Sequence, residues 1–144
     1  MAFAIIATTV LLADYFIQFA VVPISVMKGE TEGIALITQY NGHGIFIALE
    51  ELGYIMMSLS FFFLALVFSK NNRLNKAIRI ILFLPFILSI VSFIIYSIKY
   101  GLDRNYRFEV AAISINFLAS ITIGILLGVF FKREMETVKH VVIP

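Results

Sequence analysis

Apolar residues along this chain come in long unbroken runs and do not alternate with polar ones. Four such runs stand out, Ala2–Val26, Ile45–Phe68, Ile80–Ile98 and Val110–Phe131, and between them they hold three charged side chains: Asp14, Glu50 and Glu51. A helix rising 1.5 Å per residue needs about 20 apolar residues to cross a hydrocarbon core of about 30 Å. Inside that core every backbone amide must find its partner within the protein, and without the two-residue period of barrel strands only the α-helix does so. The pattern predicts an all-α, integral membrane four-helix bundle forming a single transmembrane domain over residues 1–144.

Between the runs the chain turns polar, and the placement of its basic residues orients it. The 69–79 connection carries Lys70, Arg73, Lys76 and Arg79, and the tail carries Lys132, Arg133 and Lys139. The opposite side has Lys28, Lys99, Arg104 and Arg107, accompanied by Glu30, Glu32, Asp103 and Glu109. Positively charged short loops stay cytoplasmic, which predicts both termini inside, an N-in/C-in arrangement. Tyr40, Tyr96, Tyr100 and Tyr106 then fall at the outer boundary, where an amphipathic ring is favoured. The first run is read as a retained span and not as a secretory signal. No basic residue precedes it, and Asp14 interrupts its middle. In the 28–44 loop, IALI is too short to cross a bilayer and suits an interfacial helix beginning near Thr31, with NGHG supplying a turn into the second span.

Composition narrows the function classes. The chain is 61% hydrophobic and 14% charged, against roughly a quarter charged in soluble domains. A mean hydropathy of +1.00 therefore excludes a water-soluble globule. With no cysteine, disulfide scaffolds, thiolate zinc sites and iron–sulfur clusters are excluded. A net charge of +2 spread over loops offers no nucleic-acid-binding face. No phosphate-cradling glycine motif, nucleophile elbow or cofactor-binding motif is present, and no spacing matches a metal-ligand set.

The chemistry must then come from polar residues within the spans, because ionisable groups there are costly. Asp14 and Gln18 share a helical face. Glu50 and Tyr54 lie at i and i+4, and Tyr54 is also at i+3 from Glu51. The fourth run carries a stripe of Glu109, Asn116, Ser120, Gly124 and Gly128, the last four at four-residue spacing and ending in a GxxxG. Measured from the span ends at about 1.5 Å per residue, Gln18, Glu50, Glu51 and Asn116 fall in the outer half of the bilayer and Asp14 lies near its middle, so the polar side chains concentrate toward the outer side. Stripes of this kind are expected to face one another. The candidate ligand or proton residues are therefore Asp14, Gln18, Glu50, Glu51, Tyr54 and Asn116, with Arg107 reaching in from the loop to meet Glu50 or an anionic ligand. Paired with Gln18, Asp14 reads either as a hydrogen-bonded neutral acid or as a proton carrier. Ser120, Gly124 and Gly128 read as a helix-packing face, in the same chain or against another. His43 reads first as a boundary histidine facing water and second as a metal ligand near Glu50.

Two functions lead on these residues, ahead of a third, a membrane enzyme acting on a lipid through His43 and a glutamate, which lacks a nucleophile or a defined metal set. One is binding or transport of a small or lipid-like ligand in an outer-leaflet polar cavity. The other is a structural or accessory subunit that packs through the fourth helix. The expected partners are the lipid bilayer and either a second copy or another membrane protein. The motifs YFIQ (15–18), GETEG (29–33), TQYNGHGIFIALEELGY (38–54) and YGLDRNYRFE (100–109) resemble those of uncharacterised multi-pass membrane proteins of bacteria and archaea. That resemblance implies an integral membrane location and no activity. Proteins of that kind carry an additional helix before this first one, so the chain is expected either to be a shorter version or to begin at an internal Met. The location expected for it is the plasma membrane, as a multi-pass protein.

Overall fold

A computed structural model of the chain describes residues 1–69 and 71–142. Lys70, used above to orient the chain, lies outside the described residues, as does the side chain of Lys139. The helices run in the order α1 (Ala2–Ala20), α2 (Val22–Met27), α3 (Ile34–Ile37), α4 (Ile45–Ala65), α5 (Arg73–Tyr100) and α6 (Asn105–Val142), with a 3-10 turn at Gly101–Arg104 between the last two. No strand occurs among the described residues. The all-α bundle is thus observed, with four helical segments long and apolar enough to cross a membrane: Ala2–Met27, Ile45–Ala65, Arg73–Tyr100 and Tyr106–Arg133.

The element ends differ from the apolar runs for local reasons. Pro23 has no N–H to donate, so the first span divides into α1 and α2 near Val21 while the backbone stays in the right-handed region. α5 begins well before Ile80, because Asn72 caps it: its side-chain oxygen accepts from the Asn75 amide at 2.7 Å. The basic residues of its first turns lie on a helix that already packs, with Ile78 and Leu82 fully buried. Arg79 also donates to the Phe68 carbonyl at 3.2 Å, closing the end of the preceding connection. Hydropathy alone ends a span at the first basic residue, although such side chains can lie along an apolar surface with their heads in water. α6 overruns its apolar stretch in the same way and continues through the polar tail. The helix expected from Thr31 is a single turn, Ile34–Ile37, preceded by Gly33 at φ 79°.

α4 is the hub. It packs against α5 and α6, which also pack on each other, whereas the principal long-helix partner of α1 is α4 alone. α1 and α4 come so close at Gly53 that a Cβ there would lie 2.6 Å from the Leu11 side chain. Gly44 has the same role at the start of α4, where an added Cβ would sit 2.9 Å from the Leu36 carbonyl oxygen. The bundle is chemically divided along its length. At one end Ala65, Ile78, Leu82 and Ile123 form an apolar core, surrounded by Phe61, Phe68, Phe83 and Phe130. The other end, where the 28–44 loop and the 3-10 turn connect the helices, holds the polar residues.

Candidate functional site

The polar end is assembled from the C-terminal half of α1, the first turns of α4 and the first turns of α6. Asp14, Glu50, Glu51, Glu109 and Asn116 are all buried there. Tyr15 donates a short hydrogen bond to Glu50 Oε1 and lies 3.1 Å, hydroxyl to hydroxyl, from Tyr54. Glu109 of α6 lines the same cavity as Glu50. Each of the four acids keeps one buried oxygen without a hydrogen-bond partner: Asp14 Oδ2, Glu50 Oε2, Glu51 Oε1 and Glu109 Oε2. Leaving such an atom unsatisfied costs about 1–3 kcal/mol, more when the group is charged.

One guanidinium meets these acids among the described residues. Arg104 Nη1 lies 3.6 Å from Glu51 Oε2, and the guanidinium carbon sits 4.3 Å above the Phe93 ring. Arg107, three residues later, points elsewhere: it donates to the Asp103 carbonyl at 3.3 Å and stacks over Tyr100 at 4.2 Å. The residue that reaches the acids is therefore Arg104, and its partner is Glu51. Which arginine faces inward is set by the tight 3-10 turn that starts at Gly101, whose φ of 58° favours glycine.

Two of the expected site residues are engaged in holding the framework. Both ends of the Gln18 amide grip the loop: its Nε2 donates to the Ile37 carbonyl, and its Oε1 accepts from the Gln39 amide at 3.0 Å. Asn116 donates to Ala112 O at 2.9 Å within α6 and to Tyr54 O at 3.3 Å across to α4, which ties these helices together. Its Oδ1 is buried and unpartnered. His43 lies 3.8 Å from Asp103, with both side chains exposed, and not beside Glu50. Among the described residues no group of three His, Asp or Glu side chains is arranged to hold a metal ion.

The fourth-helix stripe divides. Glu109, Ala112, Asn116 and Ile123 face inward, while Ser120, Gly124 and Gly128 are exposed. At 3.6 residues per turn, each step of four residues advances the face by about 40°, so three steps from Asn116 rotate it by about 120°. A Cβ at Gly124 or Gly128 would meet nothing within 4 Å.

A cavity of about 270 Å³ opens beside the acids, lined by Tyr15, Gln39, Tyr40, Phe46, Glu50, Tyr106 and Glu109. Its floor is Glu50 and Glu109, only 3% and 7% exposed, and its rim is Tyr40 and Tyr106, both well exposed. Tyr15 and Glu109 were missed as site residues in the sequence. Glu109 shares the inward face of Asn116, seven residues on, and that spacing is the signal that marks it.

The four apolar helices, carrying lipid-accessible residues such as Phe16, Phe19, Ile95 and Phe117 on their outward faces, define a multi-pass membrane protein. No protein-family model, curated protein or solved structure matches the chain.

Proposed function

We propose that this protein binds a small or lipid-like ligand in the polar cavity between α1, the 28–44 loop, α4 and α6, and that it does so in the plasma membrane. The observation that carries this reading is a cavity floored by two buried carboxyls, each with an unmet oxygen. Small-ligand sites are mostly apolar concavities with a few convergent polar groups, and this one adds a wet, tyrosine-lined mouth. Tyr15 orients Glu50, Gln18 pins the loop that supplies Gln39 and Tyr40, and Asn116 fixes the spacing of α4 and α6. Protein purified in native nanodiscs and extracted for mass spectrometry is expected to release a small molecule in reproducible stoichiometry, and Glu50→Gln is expected to lose it. Equal retention by parent and variant would refute the reading.

A second reading is an accessory subunit. It is favoured by the open space over Gly124 and Gly128, which would let another helix approach closely. Gly124→Leu should then dissociate the complex seen by native mass spectrometry while leaving the thermal melt of the subunit unchanged. A complex that survives this substitution would remove the reading.

A further inference from the structure

Resting on the cavity reading above, we propose that the ligand is a small organic ammonium group, held between the carboxyls of Glu50 and Glu109 and enclosed by the rings of Tyr15, Tyr40, Phe46 and Tyr106. Two features that do not depend on each other point to this class. The first is charge. Glu50 and Glu109 line one cavity, each with a buried oxygen that has no hydrogen-bond partner, and the Arg104 guanidinium is directed to Glu51 and not to them. A cation offsets the charge of two carboxyls gathered at one cavity, and this cavity has room for one.

The second feature is the walls. Four of the seven lining residues are aromatic. An aromatic face attracts a cation that keeps alkyl groups, because ring quadrupoles and apolar contact act together on a weakly hydrated ion. A hard metal ion on two carboxyls keeps most of its hydration shell, and walls of phenyl and phenol faces favour an alkylated, weakly hydrated cation over such a hydrated one. An anion would meet two glutamates at the floor. Phe46 lies edge-on to Tyr15, with ring centroids 5.9 Å apart, so two walls of the enclosure are already braced against each other. The rim rings are exposed, which leaves a path for an ammonium group arriving either as a soluble amine or as the headgroup of a lipid.

The test uses the full chain in nanodiscs of phosphatidylglycerol, which carry no ammonium headgroup. Binding of tetramethylammonium, methylammonium and choline is read by saturation-transfer NMR, beside 3,3-dimethylbutan-1-ol, the neutral isostere of choline. At least one ammonium probe is expected to bind saturably, and choline more tightly than its isostere by about ten-fold or more. Glu50→Gln and Glu109→Gln should each weaken binding by a similar factor, and Tyr106→Leu, at the exposed rim, by a few-fold with an unchanged thermal melt. Replacing half of the lipid with phosphatidylethanolamine then separates the two sources. Competition with choline identifies a lipid headgroup, and no competition identifies a soluble amine.

Equal binding of choline and the alcohol, or ammonium binding indifferent to both glutamate variants, would overturn the ammonium assignment. A neutral or anionic molecule retained in a Glu50-dependent manner would overturn it while leaving the cavity reading intact. Absence of any retained molecule together with absence of probe binding would overturn both.

Discussion

Replacing Arg104 with methionine is expected to destabilise the bundle by about 2–3 kcal/mol, read by SDS titration in mixed micelles. Methionine keeps the apolar stem over Phe93 and removes the charge. Glu51 is then left buried with no counter-charge, and its Oε1 has no hydrogen-bond partner to begin with. Breaking a fully buried pair from one side costs about 3–5 kcal/mol. The expectation here is lower because the Arg104 side chain keeps 23% exposure and the contact is long, at 3.6 Å. Loss of the Phe93 stacking adds about 0.5–1 kcal/mol.

The discriminating variant is the double substitution Arg104→Met with Glu51→Leu. If the cost of the single change is an orphaned carboxylate, removing that carboxylate should restore most of the stability, and the cycle should show coupling well above the few tenths expected of independent sites. Arg107→Met should change little, since among the described residues the partners of Arg107 are the Tyr100 ring and the Asp103 carbonyl. A single Arg104→Met variant as stable as the parent would show that Glu51 has no need of its guanidinium.

The different fates of Arg104 and Arg107 show where the sequence stops being informative. Hydropathy averages over about 20 residues, so the four long helices survive local ambiguity and were legible. Facing is decided by single residues. In YGLDRNYRFE both arginines lie within one segment, and only the turn geometry after Gly101 brings the first inward and leaves the second on Tyr100. Glu109 stands in the sequence both among the charged outer residues and on the stripe of the fourth run without being singled out as a site residue; α6 begins four residues earlier, so Glu109 is already on the helix and on its buried face. Tyr15 sits among apolar and aromatic neighbours and carries no composition signal; its role follows from which helix lies opposite. Gln18 looked like a lining residue by depth, but a loop that folds back over α1 takes both ends of its amide.

The Ser120–Gly124–Gly128 series makes the same point through geometry. Strict four-residue spacing looks like a straight stripe in one dimension and winds around the helix in three. The inward positions 109, 112, 116 and 123 average closer to 3.5 residues per turn, which is what keeps a face on its partner.

Phe108→Ala is expected to cost about 2 kcal/mol by the same titration and to weaken the cavity as well as the fold. Phe108 is the largest of the fully buried side chains, and its ring meets Phe93 edge-on at 5.3 Å. In water such a truncation costs about 3–5 kcal/mol, partly transfer and partly cavity. In a bilayer the separated helices still hold the ring in lipid, so the transfer part largely drops out and the lost packing contacts remain. The comparison that isolates this is Phe117→Ala on the same helix. Phe117 is 63% exposed on the outward face, and its truncation should leave stability within a few tenths of a kcal/mol. The consequences of Phe108→Ala should also travel. Phe93 is held by Phe108 on one side and by the Arg104 guanidinium on the other. A gap at Phe108 loosens Phe93, Phe93 loosens Arg104, and Glu109, the residue next to Phe108, loses the register that brings it to Glu50. Ligand retention by Phe108→Ala should therefore fall even at temperatures where its circular dichroism matches the parent. Retention unchanged in a destabilised variant would instead separate the aromatic core from the acids and show that α6 holds Glu109 in place through Asn116 alone.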